Sequence, residues 1–331
     1  MKSIPTYKPV DNITVVRIFV LIIVVTPLLG TVLAIRLLWQ FAVNWSDLAL
    51  LAVMYSAIIP GVTIGYHRML THRSFRPHPV VKAIFLILGS MSAQGPAIEW
   101  AASHLKHHAL ADREGDPHSP LDGFLHAHMG WLFNGLADPN VYCRHLVKDR
   151  IVVFISYTFW VWVALSFVIP FMIGGLTGLL WGGFVRIFLL QHVTFSVNSI
   201  CHMFGKREFE TRDQSHNAWI VGLLAFGEGW HNNHHAFPRS AFQGFHWWQL
   251  DFSGYIIWAL ERLGLAHDVY RVPQALLERR SAAKAGAVET KRGGTVMANQ
   301  QDIEETYNFM DEVSAPTTSR KMRELAEWNE L

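Results

Sequence analysis

An all-α integral membrane protein is predicted, with four transmembrane helices and a helical cap on one membrane face. Three observations predict it. Apolar residues make up 51% of the 331 positions and charged residues only 16%, which is apolar for a water-soluble domain. Four apolar runs approach bilayer length. Eighteen histidines are present, and many of them stand in short groups with regular spacing.

The first run, 13–38, is broken only by Arg17, Pro27 and Arg36. About 20 apolar residues rising about 1.5 Å each cross a hydrocarbon core, and arginines near the ends can snorkel to the headgroups. The second run, 48–66, is shorter and is expected to end in Pro60, Gly61 and Gly65. The third, 151–173, and the fourth, 176–200, are joined by a tight turn at Gly174-Gly175. Arg186, Gln191, His192 and Asn198 would be costly against lipid, so the later half of the fourth run emerges from the membrane or lines a polar interior. Val80–Gly89 and Trp219–Phe226 are too short to cross and read as interfacial or re-entrant helices.

Four spans place both termini and residues 67–150 on the same side. That segment holds nine Lys or Arg residues, and Lys2 and Lys8 join it. Only Arg36 stands near the opposite face. The positive-inside rule therefore puts the histidine cap (67–150 and 201–272) and both termini in the cytosol. Residues 1–272 form the membrane domain, and 273–331 are expected to be a flexible tail. Within the tail, Ser281–Gly294 is small and charged, and Met322–Leu331 reads as a short amphipathic helix. No cleavable signal peptide is expected, because the run after the polar start is too long. The net charge of +2, with scattered basic residues, gives nucleic acid no support. Cys143 and Cys201 form neither a disulfide framework nor a CxxC metal site.

The chemistry lies in histidine spacing. One group is His67-Arg68-Met69-Leu70-Thr71-His72. A second is His104-Leu105-Lys106-His107-His108. A third, His231-Asn232-Asn233-His234-His235, follows Gly227-Glu228-Gly229-Trp230. His202 follows Asn198 by four. On a helix, residues at i, i+3 and i+4 share a face, so the second and third groups each present three imidazoles together. His67 and His72, five apart, cannot share one face of a regular α-helix. They serve different metals, or the helix ends between them. All four groups fall on the cytosolic side of the predicted topology. Nine imidazoles exceed what one ion accepts. Two ions with four or five ligands each would use them all, with Asn198 as a tenth group. Nitrogen ligands suit zinc, copper, iron or nickel, and two close redox metals suit dioxygen chemistry at unactivated C–H bonds.

These groups resemble the HRxxxH, HxxHH and HxxHH boxes of the membrane fatty-acid desaturases, in particular the bacterial acyl-CoA delta-9 type related to stearoyl-CoA desaturase. Gly115-Asp116-Pro117-His118, His128-Met129-Gly130-Trp131, Asn198-Ser199 and Gly227-Glu228-Gly229 match as well, over about 60–251. The resemblance implies a di-iron centre held by His67, His72, His104, His107, His108, His202, His231, His234 and His235, with Asn198 holding a water. It implies oxygen-dependent insertion of a cis double bond near the middle of a saturated long-chain acyl-CoA. Dioxygen is reduced to water with two electrons from another protein. It also implies a bacterial inner-membrane location. An acyl tunnel should bend beside the metals, with Trp100, Trp131 and Phe195 as candidate lining.

Around the ligands, Glu228 is the foremost candidate to orient a histidine, ahead of Glu99 and Asp116. His118, His126, His128 and His246 stay outside the ligand set, with His128 a candidate supporting partner. The chain departs from the animal enzymes at Ala102-Ser103 and Leu121-Asp122, where those enzymes place residues that touch the CoA head group. An acyl-lipid substrate therefore stays open. Lys106, Arg113 and Arg144 are candidate phosphate contacts. His78-Pro79 lacks the two glycines of a haem-binding HPGG motif, so electrons should come from a separate ferredoxin or reductase. Three rival readings remain: an alkane or fatty-acid hydroxylase, a membrane haem protein, and a metal transporter. The last two fit poorly. Only His192 lies well inside a span, and the first three spans carry almost no polar path.

Overall fold

The computed structural model describes residues 7–10, 12–39 and 43–281. They are mostly helical, with one antiparallel pair of two-residue strands, β1 (Arg76–Pro77) and β2 (Ala266–His267). Three stretches are long and apolar enough to cross a membrane: Ile13–Leu37, Trp45–Thr71 and Phe159–Met203. By this measure the chain is a membrane protein.

The first helix, α1 (Ile13–Trp39), exposes Leu21, Ile22, Leu29 and Val32, the surface expected of a lipid-facing helix. Helix α2 (Trp45–Pro60) begins in a capping box between Asn44 and Asp47, which satisfies the first free N–H groups. It does not end at Pro60 and the glycines. The chain continues as an 11-residue π-helix, Gly61–Thr71. The glycines serve packing instead. A Cβ on Gly61 would lie 2.1 Å from the Gly89 nitrogen, and one on Gly65 would lie 2.8 Å from the Phe85 carbonyl oxygen. Both contacts are with α3 (Pro79–Ser90), the first short apolar run.

Helix α4 (Ala97–Leu110) turns Ile98, Ala101, Ala102 and Leu105 into the main core. The spacing of 3.6 residues then places Trp100, His104, His107 and His108 toward another side. Two short helices follow, α5 (Phe124–His128) and α6 (Pro139–Tyr142), and then α7 (Arg150–Tyr157), capped by the Asp149 carboxylate.

The third apolar stretch runs through α8 (Phe159–Gly178), a π-helix (Leu179–Val185) and α9 (Arg186–Met203). It breaks at Gly175, whose φ of 60° and ψ of −142° are not helical. The chain then folds back. The rings of Phe167 and Phe184 lie 4.9 Å apart, and a Cβ on Gly182 would lie 2.7 Å from the Pro170 Cβ. The two arms of this hairpin are thus 159–174 and 176–203, while the first part of the expected run 151–173 forms the separate helix α7, broken from the arm at Thr158. Arg186, in its second arm, is fully buried and donates to the carbonyls of Gly182, Met91 and Ser166 at 2.9–3.1 Å. Gln191 donates to Ile23 and Ala93. The polar residues of this arm therefore face protein, not lipid.

Beyond it lie α10 (Trp219–Leu224), α11 (His231–Ala236) and α12 (Phe252–Arg262). Helix α10 exposes Trp219, Ile220 and Leu223, as an interfacial helix would. Residues 274–281 are helical, with Leu276 and Leu277 against the Phe209–Phe237 cluster. The rest of the expected tail, 282–331, including Met322–Leu331, lies outside the described residues.

Near the N-terminus, the Tyr7 hydroxyl donates to the Glu99 carboxylate on α4. Glu99 is almost fully buried, and burial pushes its carboxyl up to about 7. Between its unfolded value of 4.5 and about 7, the folded chain holds a proton that the unfolded chain releases. Stability from this group therefore declines as pH rises through that window, by on the order of 3 kcal/mol. Glu99→Gln should stabilise the protein at pH 8 and change little at pH 4.5, read from unfolding midpoints at the two pH values. An equal effect at both would contradict it.

Candidate metal centre

The wide turn of the π-helix decides the first histidine pair. The His72 N–H donates to the His67 carbonyl (3.0 Å), an i→i+5 bond that brings residues five apart onto one side. The two rings meet at 4.7 Å. The second of the two expectations holds, since the helix ends at Thr71, between the two histidines, with His72 as its cap, but the wide last turn still leaves both rings on one side.

The nine histidines gather into two groups. His67, His72, His104, His108 and His234 form one, and His107, His202, His231 and His235 the other. In each, the ligand-type atoms lie within 4.8 Å of one another. Each HxxHH helix divides its imidazoles. Helix α4 sends His104 and His108 to the first group and His107 to the second. Helix α11 sends His231 and His235 to the second and His234 to the first. Residues at i and i+4 stay together, and the i+3 residue crosses to the neighbouring site.

Inside each group the Nε2 atoms face one another. In the first, His72–His104, His104–His108, His108–His234 and His67–His234 approach to 2.9–3.1 Å. In the second, His202–His231 and His231–His235 lie at 3.0 and 3.1 Å, and His107–His235 at 3.4 Å. Four of the nine have the other ring nitrogen occupied by a carboxylate. Asp116 meets His107 Nδ1 (2.9 Å), Asp112 meets His202 Nδ1 (3.0 Å), Asp213 meets His235 Nδ1 (2.8 Å), and Glu228 meets His67 Nδ1. A carboxylate there keeps the proton on Nδ1 and leaves Nε2 a bare lone pair. Lone pairs converging in a buried space repel, so the arrangement calls for cations between them.

Electrostatics points the same way. Burial, aided by neighbouring imidazoles, pushes His72, His104, His108, His231 and His234 well below the usual imidazole range, and burial does the same to His107. They stay neutral, the form that binds metal. His235 is raised: burial opposes this, but the Asp213 carboxylate prevails. Asp213 is in turn held far below the carboxylate range, mainly by His235 against the cost of burial.

Buried Arg68, within the first box, is a brace. It donates to Glu228 (3.0 and 3.2 Å), to Asp251 (2.9 Å) and to the Ala241 carbonyl (2.9 Å), and so fixes the carboxylate that orients His67. Gly227 precedes Glu228 at φ 115°, where a Cβ would lie 2.3 Å from Asp251 Oδ1. Only glycine suits both the backbone angle and the space.

A family model for fatty acid desaturases matches residues 42–270. A hex-5-enoyl-[acyl-carrier protein] acetylenase of Moorena producens (strain JHB) is 39% identical over 281 residues, covering 78% of this chain and 88% of that protein. A delta-9 acyl-lipid desaturase of Arabidopsis thaliana is 38% identical over 258 residues, covering 74% and 82%. An acyl-CoA 5-desaturase of Anemone leveillei is 39% identical over 250 residues, covering 74% and 78%. The chain belongs to the fatty acid desaturase family.

In this desaturase the sequence-predicted tunnel residues line small cavities beside the histidines. Trp100 and Asn198 border both; one also touches His67, His104 and His231, and the other adds Trp131, Phe195 and His118. Of the carboxylates expected to orient a histidine, Glu228 and Asp116 do so, whereas Glu99 meets Tyr7 instead. His128 bonds Ser199 and His192 (both 2.9 Å), so it supports none of the nine. His126 meets the Pro117 carbonyl and His246 meets Glu208. His118 lies nearer than expected, its ring 4.1 Å from that of His107. The sequence reading missed Asp112, Asp213 and Gln243, the last 3.3 Å from His234 Nδ1. Asp112, four residues past His108, could have been noticed. Asp213 stands near no histidine group in sequence.

Asp213→Asn should weaken metal binding by the second group about 10–100-fold, measured by metal release to a chelator. Unchanged release would show that Asp213 has no hold on His235.

Proposed function

We infer that this chain is a di-iron desaturase that inserts a cis double bond, at the delta-9 position, into a saturated long-chain acyl group. The observation that carries the reading is the five-plus-four division of the nine imidazoles with their Nε2 atoms turned inward. Nitrogens at about 2.1 Å from an ion and at right angles are about 3.0 Å apart, while a tetrahedral site spreads them to about 3.4 Å. The 2.9–3.1 Å edges of the first group favour a six-coordinate ion over a closed tetrahedral zinc site. Bound iron would supply the dioxygen activation that attacks unactivated C–H bonds, which no side chain performs.

The protein's own part is positioning. His67, His72, His104, His108 and His234 would hold one iron, and His107, His202, His231 and His235 the other, with Asn198 placing a water from the cavity wall. Asp112, Asp116, Asp213 and Glu228 hold imidazole orientation. Trp100, Trp131 and Phe195 would confine the acyl chain and exclude water. Electrons would come from a separate ferredoxin or reductase. The hairpin at Gly175 supports four spans, and the basic residues of 67–150 support a cytosolic cap in a bacterial inner membrane. We assign 1–272 to the catalytic domain and the remainder to a tail.

Acyl-CoA is the substrate the resemblance implies, and a second reading, an acyl lipid, has a specific observation behind it. Ala102 and Ser103 are buried in α4 and Leu121-Asp122 offers no basic side chain, so the basic head-group contacts of the animal enzymes have no counterpart there. Expression in a host without desaturases, followed by mass spectrometry of its fatty acids, tests the function. A new monoene is expected, and analysis of CoA and lipid pools at early times separates the two substrates. Unaltered fatty acids with iron and a competent donor present would refute the reading. A hydroxylated product would favour the hydroxylase alternative.

A further inference from the structure

The histidines are approached from two sides. The cavities bordered by Trp100 and Asn198 reach His67, His104 and His231. A separate open groove shares no lining residue with them and ends on His72. Apart from that contact His72 is buried, at 4% exposure. The groove is lined by Arg73, Arg76, Lys82 and Arg239 against Asp149 and Asp268, an excess of two positive charges. Arg76 pairs with Asp268 (2.6 Å) and Lys82 with Asp149 (2.7 Å). Arg73 and Arg239 are exposed at the rim. Arg73, next to His72, sits at φ 52°. Few non-glycine residues adopt that left-handed angle, and such angles concentrate at functional sites.

The proposed reaction consumes electrons that a separate ferredoxin or reductase would supply. A carrier must therefore dock where a metal ligand nears the surface, and away from the acyl chain. We propose that this groove is the docking site of an acidic electron-carrier protein, and that electrons enter the metal centre at the His72 edge. The proposal rests on the function given above. In each turnover the carrier delivers two electrons, one at a time. The acyl –CH2–CH2– unit gives two hydrogens with their electrons and becomes –CH=CH–. Together with two protons from solvent, dioxygen leaves as two waters. Four cations spread along one groove suit the patterned edge of a protein partner, whereas a phosphate clamp would aim its cations at one point.

The test uses the full chain in lipid nanodiscs and a [2Fe–2S] ferredoxin of net negative charge with its reductase. Arg239→Glu and Arg73→Glu should each weaken ferredoxin binding, read by interferometry, about tenfold. Binding to the unmodified chain should fall away by about 0.5 M salt. Lys206→Glu, an exposed cation outside the groove, should bind ferredoxin as the unmodified chain does. Turnover should show a raised KM for ferredoxin with the KM for the acyl substrate retained. Unchanged binding in both arginine variants overturns the proposal. So does a raised acyl KM with ferredoxin binding intact, which would make the groove a site for an anionic head group. If ferredoxin binds through the groove but no double bond forms, docking stands and the proposed function fails.

Discussion

Replacing Arg68 by methionine should destabilise the protein by about 3–5 kcal/mol, lowering its unfolding midpoint by roughly 10 °C or more. The guanidinium is 1% exposed and serves Glu228, Asp251 and a carbonyl at once. Methionine fills much of the volume but leaves two buried carboxylates without their cation. The Glu228–His67 contact would lose its brace, so metal retention by the first group should fall with stability. Arg76→Met is the matched control. Its pair with Asp268 is exposed on both sides (76% and 66%), and such pairs contribute about 0–1 kcal/mol. Thermal unfolding followed by tryptophan fluorescence compares the two. Equal midpoints would mean that the Arg68 network is not what holds this end of the second apolar helix.

His107→Ala should lower desaturation at least about 100-fold and cost one of the two ions proposed for the centre. His107 supplies one of only four imidazoles in its group, and its Nδ1 is clamped by Asp116 at 2.9 and 3.0 Å. The second group cannot borrow from the first, because His104 and His108 on the same helix are committed to the other side. His126→Ala should leave metal content and turnover near those of the unmodified chain, since among the described residues His126 meets the Pro117 carbonyl and, at 3.8 Å, Asp122. Metal analysis and turnover on the same preparations decide the matter. Full metal content in His107→Ala would remove His107 from the ligand set.

Much of the centre was legible because a helix is a ruler. The i, i+4 spacing of His104 with His108, of His231 with His235 and of Asn198 with His202 can be read directly from the chain. So can the turn at Gly174-Gly175, where two glycines separate two apolar runs. Misreadings occurred where backbone geometry left the regular α form or where partners came from far away. Pro60, Gly61 and Gly65 looked like a helix end, but they admit the close approach of α3 and the wide turn that puts His67 beside His72. Asp213 sits far from any histidine group in sequence, and only the folded loop brings it to His235.

Residue type and periodicity therefore determined by themselves that this is an apolar helical protein with nine imidazoles able to meet at one end. Hydrophobicity and helical spacing are local properties of the chain. The tertiary structure decided how those imidazoles divide, which carboxylates hold them and where the surface reaches them. Those outcomes depend on side chains up to 183 positions apart, such as Arg68 and Asp251, and no local pattern encodes such a meeting.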